Sequence, residues 1–140
     1  MRIALAVLTL LVAAGAVRAS DFRIFGIVAS DPIGITTALV DACNAKYPEL
    51  ATTGSAALNA WRQRNEHEAS RVRQWLIDEM NKQIQGEEER KQQLASLERD
   101  KGQYVSDWLK NIEAGGISIC SDFIGGLGRP ESDLVRMFPK

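Results

Sequence analysis

The sequence predicts an all-α protein: a small helical bundle built on a long antiparallel helix hairpin and closed by one long-range disulfide. Three observations predict it. Apolar residues recur at three- and four-residue spacing over two long stretches that only Gly86 separates. Capping and helix-breaking residues stand where those stretches begin and end. Two cysteines, Cys43 and Cys120, follow an N-terminus of the export type, and disulfides persist in exported proteins.

The N-terminus has three parts. Met1 and Arg2 make a short positive start, Ile3 to Val17 is apolar and uncharged, and Val17-Arg18-Ala19 is a small-x-small sequence. This is the layout of a cleavable secretory signal over residues 1–19, cut between Ala19 and Ser20. A spanning helix needs about 20 apolar residues, so the run falls short of an anchor and no membrane span is expected after cleavage. The mature chain, residues 20–140, has the length of one domain. It is expected in the periplasm or outside the cell.

Processing changes the charge. The whole chain has 17 basic and 18 acidic residues; removing Arg2 and Arg18 leaves 15 basic against the same 18, a net charge of −3. A mildly acidic chain has no global attraction for nucleic acid or for anionic lipid, and nucleic acid is not an expected partner. Two cysteines allow one pairing. Cys43 and Cys120 lie in no Cys-x-x-Cys motif, so the expected role of the bridge is structural.

Residues 20–29, Ser-Asp-Phe-Arg-Ile-Phe-Gly-Ile-Val-Ala, are apolar with mixed periodicity, which leaves open an extended arm on the core or a disordered terminus. Ser30-Asp31-Pro32 is a helix start: Ser or Asp caps, and Pro fits the first helical position. Ile35, Leu39, Ala42 and Cys43 then give a helix over about 32–46, ended by Tyr47-Pro48. Thr53 or Ser55 is the expected cap of a second helix over about 54–85. Its stripe is Ala57, Trp61, Asn65, Ala69, Val72, Leu76, Met80 and Ile84.

Gly86 is expected to close that helix in the left-handed conformation, and Glu87, Glu88 and Glu89 suit the first turn of the next. The alternative is one unbroken helix of about 60 residues, near 90 Å long. The third helix, about 87–113, carries Leu94, Leu97, Lys101, Tyr104 and Trp108 at 3, 4, 3, 4 spacing, a coiled-coil-like seam that Lys101 interrupts. Gly115, Gly116, Gly125, Gly126 and Gly128 mark 115–129 as a loop anchored at Cys120, with at most a short turn at 121–124. Arg129-Pro130-Glu131 starts a last helix over about 130–138, with Leu134, Val135 and Phe138 on its apolar side.

Catalytic and metal motifs are weak. The sole histidine, His67, lacks the second histidine four places on that a helical zinc site needs. A hydrolase triad would depend on it, and there is no Gly-x-Ser-x-Gly elbow. Gly125-Gly126-Leu127-Gly128 is followed by Arg129-Pro130 and not by Gly-Lys-Ser/Thr, so it is no phosphate loop. Glutamates two apart on a helix point apart, which disfavours paired-carboxylate chemistry. No cofactor and no metal are expected.

Three residues are candidate partner contacts. Asn65 puts an amide on an apolar stripe, where it is either a polar register pin or a contact. Trp75 lies off the main stripe and is the tryptophan expected to be most exposed. Phe123 belongs to the apolar set of the expected loop, and loops held on a rigid scaffold often carry binding groups. The expectation is a non-enzymatic exported binding protein, such as an inhibitor, an immunity-like protein or an accessory subunit. Its partner would be another envelope or extracellular protein, and the chain a monomer or weak dimer. The alternatives are a self-associating structural protein of the envelope and an enzyme with scattered catalytic residues.

Overall fold

The computed structural model describes residues 19–138, and every regular element among them is helical. The apolar run of the expected signal lies outside the described residues. In order, the helices are α1 (Ala19–Ser30), α2 (Pro32–Lys46), a 3-10 turn (Pro48–Leu50), α3 (Ala51–Gln83), α4 (Glu87–Gly115) and α5 (Ile117–Leu127). A second 3-10 turn (Pro130–Ser132) and a single helical turn, α6 (Leu134–Met137), complete the chain. The all-α bundle holds, and so does the long pair of helices broken near Gly86.

Residues 20–29 are neither an extended arm nor a disordered terminus: they form most of α1. Burial decides this over the β-branched residues' mixed propensity. Ile27 and Ala29 are core residues, and Phe25 packs against that core. Ser30 Oγ donates to the carbonyl of Ile27 at 2.6 Å and helps close the helix. The chain then turns by 92° into α2. Asp31 is the cap, its Oδ1 accepting the N–H of Gly34 at 3.0 Å, with Pro32 at the first helical position.

α2 lies between the two long helices. It packs along both α3 and α4, and α1 crosses them both. The long helices themselves hardly approach each other. Gly26 of α1 shows the wedge directly: a Cβ there would lie 3.3 Å from Leu97 of α4 and 3.7 Å from Leu76 of α3. The 3-4 seam of α4 therefore packs on α1 and α2 rather than on its hairpin partner. Lys101, the interruption of that seam, meets the α1–α2 corner, where its Nζ is 3.0 Å from Asp31 Oδ2 and 3.1 Å from Glu98 Oε2. Arg73 of α3 donates to the carbonyl of Ser30 at 3.3 Å and holds the same corner from the other side.

Several boundaries differ from expectation. α3 starts at Ala51, not after Thr53, because the Pro48–Leu50 turn feeds straight into it. Gly54 is buried inside the helix, where a Cβ would stand 2.2 Å from Asn44 Oδ1 of α2. Its role is close helix approach, not a start signal. Gly86 has φ −83° and ψ 131°, so it is extended and not left-handed. Extended Ile84 ends α3, and the Arg90 guanidinium accepts the job of satisfying the freed carbonyls, donating to Ile84 at 2.9 Å and Gln85 at 3.1 Å. The positive-φ glycine is instead Gly116, φ 74° and ψ −168°, at the end of α4.

The expected loop 115–129 is mostly the helix α5. Cys120, Ile124 and Leu127, spaced four and three, are all buried, and that burial outweighs the helix penalty of Gly125 and Gly126 at about 1 kcal/mol each. The expected helix 130–138 is instead a 3-10 turn followed by one α-turn. Leu134 and Phe138 are buried as expected, whereas Val135 points outward and is 41% exposed.

The core has two parts. The larger includes Ile35, Leu39, Val40, Trp61, Val72, Leu76, Leu97, Leu134 and Phe138. The smaller gathers Ile112 and Ile124 around the Cys43–Cys120 bond, which joins α2 to α5 with Cα atoms 5.5 Å apart. Both cysteines are wholly buried.

Candidate functional site

Polar side chains converge most densely where α3 meets the C-terminal strap, residues 128–138. The sequence Trp61-Arg62-Gln63-Arg64-Asn65 places Trp61, Arg64 and Asn65 on one side of α3. Each of the three bonds the strap's backbone or the end of α5. Trp61 Nε1 donates to the carbonyl of Ser132 at 3.0 Å. Arg64 Nη2 donates to the carbonyl of Leu127 at 2.5 Å. Asn65 Oδ1 accepts the N–H of Leu134 at 2.7 Å.

The other half of the Asn65 amide is also used. Its Nδ2 donates to the carbonyl of Trp61 at 2.8 Å and to Asp133 Oδ1 at 3.2 Å. Asp133 also takes Arg64 Nε at 3.1 Å. A buried amide left unpaired would cost about 1–3 kcal/mol, and this one is fully paired. Four positions beyond Leu134, the ring of Phe138 lies 5.5 Å from Phe25 of α1 and 5.4 Å from Trp75 of α3, centroid to centroid. Edge and tilted contacts at such distances are the favoured aromatic geometries.

The candidate contacts thus separate. Asn65 and Trp75 come together on the strap, ten positions apart along α3. Asn65 is 1% exposed and spent on internal bonds, so it stands as a register pin. Trp75 is half-buried under Phe138 and is not an open aromatic. Phe123 sits elsewhere, on α5, with its ring 5.0 Å from Trp108 of α4. Cys43 and Cys120 form the bond described above. Ala19 and Ser20, the expected cleavage pair, begin α1.

Sequence reading missed Arg64, Asp133 and Phe138 as parts of one cluster. Arg64 falls three positions after Trp61 and next to Asn65, which was the available signal. Nothing local announces that Asp133 returns to it from 69 positions away.

Outside this cluster the charged groups are ordinary. His67 is 71% exposed at its side chain and lies 3.5 Å from Glu68, which also takes Arg71 at 2.5 Å. Arg23 pairs with Asp100 between α1 and α4. Hydrogen bonds from Lys101 to Asp31 and then to Glu98 hold its ammonium above the usual lysine range. Burial pushes the Tyr104 phenol up. Among the described residues no three of His, Cys, Asp and Glu come together as a metal site. No single described helix is long and apolar enough to cross a membrane; the bent α1–α2 pair passes that test only jointly, and its apolar faces form the core. Large apolar side chains that stay exposed are Leu109, Ile117 and Val135. Compared with protein-family models, with characterised proteins and with solved structures, the chain matches none.

Proposed function

We propose that this chain is an exported, oxidised helical protein of the periplasm or cell exterior that works by binding another protein and not by catalysis. The observation that supports it most is the bond between Cys43 and Cys120. Both sulfurs are wholly buried between α2 and α5, and such a bond belongs to an oxidising compartment. The apolar N-terminal run ending in Val17-Arg18-Ala19 supports the same compartment.

The case against catalysis is the way polar groups are used. Asn65, Arg64 and Asp133 are spent on one another and on backbone. The single histidine stands on an exposed helix face beside one glutamate. General acid–base chemistry needs a proton-transfer group within reach of a second functional group around a substrate; the one carboxylate near the exposed His67, Glu68 at 3.5 Å, is paired with Arg71 at 2.5 Å.

The test is affinity capture with the mature, oxidised chain as bait in envelope extract, with the Cys43→Ser chain as control. The expected result is one partner recovered in stoichiometric amount by the oxidised bait. Recovery of no partner, together with turnover of a substrate by the chain alone, would contradict the reading.

A further inference from the structure

We infer that docking of α5 seals the Cys43–Cys120 bond: thiol–disulfide exchange at these sulfurs takes place only on a chain whose α5 has left α2. The bond is therefore made before the smaller core closes, and the folded chain keeps it even among reductants. The inference rests on the burial of the pair and not on the binding role argued above.

Both cysteines are 0% exposed. Ile112 of α4 and Ile124 of α5 are buried with them, and Tyr47, Leu50, Trp108 and Ile119 pack around that cluster. The ring of Phe123 lies 5.0 Å from Trp108 and closes α5 onto α4. On the α3 side the fit is close: a Cβ at Gly54 would stand 3.1 Å from Ile124 Cδ1. A wall that a single methyl group would crowd admits no reagent.

Exchange needs access to sulfur. A reductant's thiolate attacks one sulfur and forms a mixed disulfide, while the other cysteine leaves as a thiolate and takes up a proton. The second thiolate of a dithiol then releases the first cysteine, so the reagent ends as a disulfide and the chain holds two thiols. Burial opposes both halves: the attacker cannot reach the sulfur, and apolar surroundings disfavour the leaving thiolate. The wall that can move is α5. It has 11 residues, with Gly125 and Gly126 in its last turn and no side-chain cap at its start. By contrast, α2 is held along both long helices. Formation is the same exchange reversed and follows the same path. Cys43 and Cys120 pass two electrons to the disulfide of a carrier, and lose two protons, while α5 is undocked. The partner this implies is a disulfide donor that acts on the open chain.

The experiment treats the full oxidised chain with dithiothreitol, a small dithiol, and follows the released thiols by alkylation and mass. Reduction without denaturant is expected to be about a hundredfold or more slower than in denaturant, the factor by which the docked helix withholds the sulfurs. Ile124→Ala removes part of the α5 wall and is expected to speed native reduction about tenfold or more, with Ile124→Val faster by a smaller factor. Val72 is buried in the larger core, which does not contain the bond. Val72→Ala is expected to leave the rate within about threefold of the unmodified chain, because α5 opens as its own unit. Native reduction at the denatured rate overturns the inference. So does equal acceleration by Val72→Ala and Ile124→Ala, which would make global unfolding the route. If Ile124→Ala loses its helix content, Ile124→Val against Val72→Ala decides by the same comparison. Free thiols in the starting protein overturn the inference and count against export as well, whereas fast reduction of a formed bond leaves the export reading standing.

Discussion

The side-chain oxygen of Asn65 accepts the backbone N–H of Leu134 at 2.7 Å, so an amide buried in the middle of α3 fixes a segment 69 positions further along the chain. Replacing it leaves the Leu134 N–H buried and unpaired. Asn65→Ala is expected to lower stability by about 2 kcal/mol in urea unfolding. Asn65→Asp keeps an acceptor for Leu134 but sets a second carboxylate beside Asp133. Its loss is expected to exceed that of Asn65→Ala at pH 7 and to shrink as the pH falls toward 4, where carboxylates begin to take up protons. A pH-independent loss would show that the Asp133 contact contributes nothing.

Gly26 tests the wedge of α1 between the long helices. A Cβ there meets only the flexible ends of Leu97 and Leu76, the nearest at 3.3 Å. Gly26→Ala is expected to be nearly neutral, because the helix preference for Ala, about 1 kcal/mol, offsets the tight contact. Gly26→Leu overfills the space and is expected to cost about 1–3 kcal/mol. Equal tolerance of both substitutions would mean that α1 does not sit between α3 and α4.

Lys101 gives a dependence on alkaline pH. Its ammonium is held above the usual lysine range by Asp31 and then Glu98. A raised folded-state value means that its stabilising contribution is complete below the ordinary lysine pKa and is lost as pH rises through the higher folded value. Lys101→Met is expected to cost about 1 kcal/mol at pH 7, the upper end for a half-exposed pair. The gap between the two proteins should stay constant from pH 7 to 9 and close only in strong alkali. A gap that closes by pH 8 would remove the ion pair as its cause.

Much of this architecture was legible in the sequence, and the errors share a cause. The stripe from Trp61 to Met80 was correct because a long helix repeats its signal many times. The helix start at Ser30-Asp31-Pro32 was correct because its chemistry is local, and the structure assigns the cap to Asp31. α1 and α5 were missed because each is short, β-branched or glycine-rich, and helical only by virtue of what it buries: Ile27 and Ala29 in one, Cys120 and Ile124 in the other. The 3-4 seam of α4 was read correctly as apolar, but its partner was not. Periodicity reports that a face is buried and is silent on what buries it. The strap cluster was half visible, since Asn65 is anomalous on its stripe, while Asp133 and Phe138 acquire meaning only from tertiary contact.

The bridge carries its own prediction. Cys43→Ser or Cys120→Ser is expected to lower stability by about 2–4 kcal/mol. Hydrogen exchange should rise first in α5 and the strap, residues 117–138, and later in 61–80 of α3. Simultaneous loss of protection in both would mean that α5 is no separate unit.

We propose that this fold is made and used outside the reducing cytosol. Mass analysis of a non-reduced digest of protein recovered from the cell envelope tests it most directly. The expected products are a cross-linked peptide pair containing Cys43 and Cys120 and an N-terminal peptide beginning at Ser20. Free thiols at both cysteines, with residues 1–19 still attached, would contradict it.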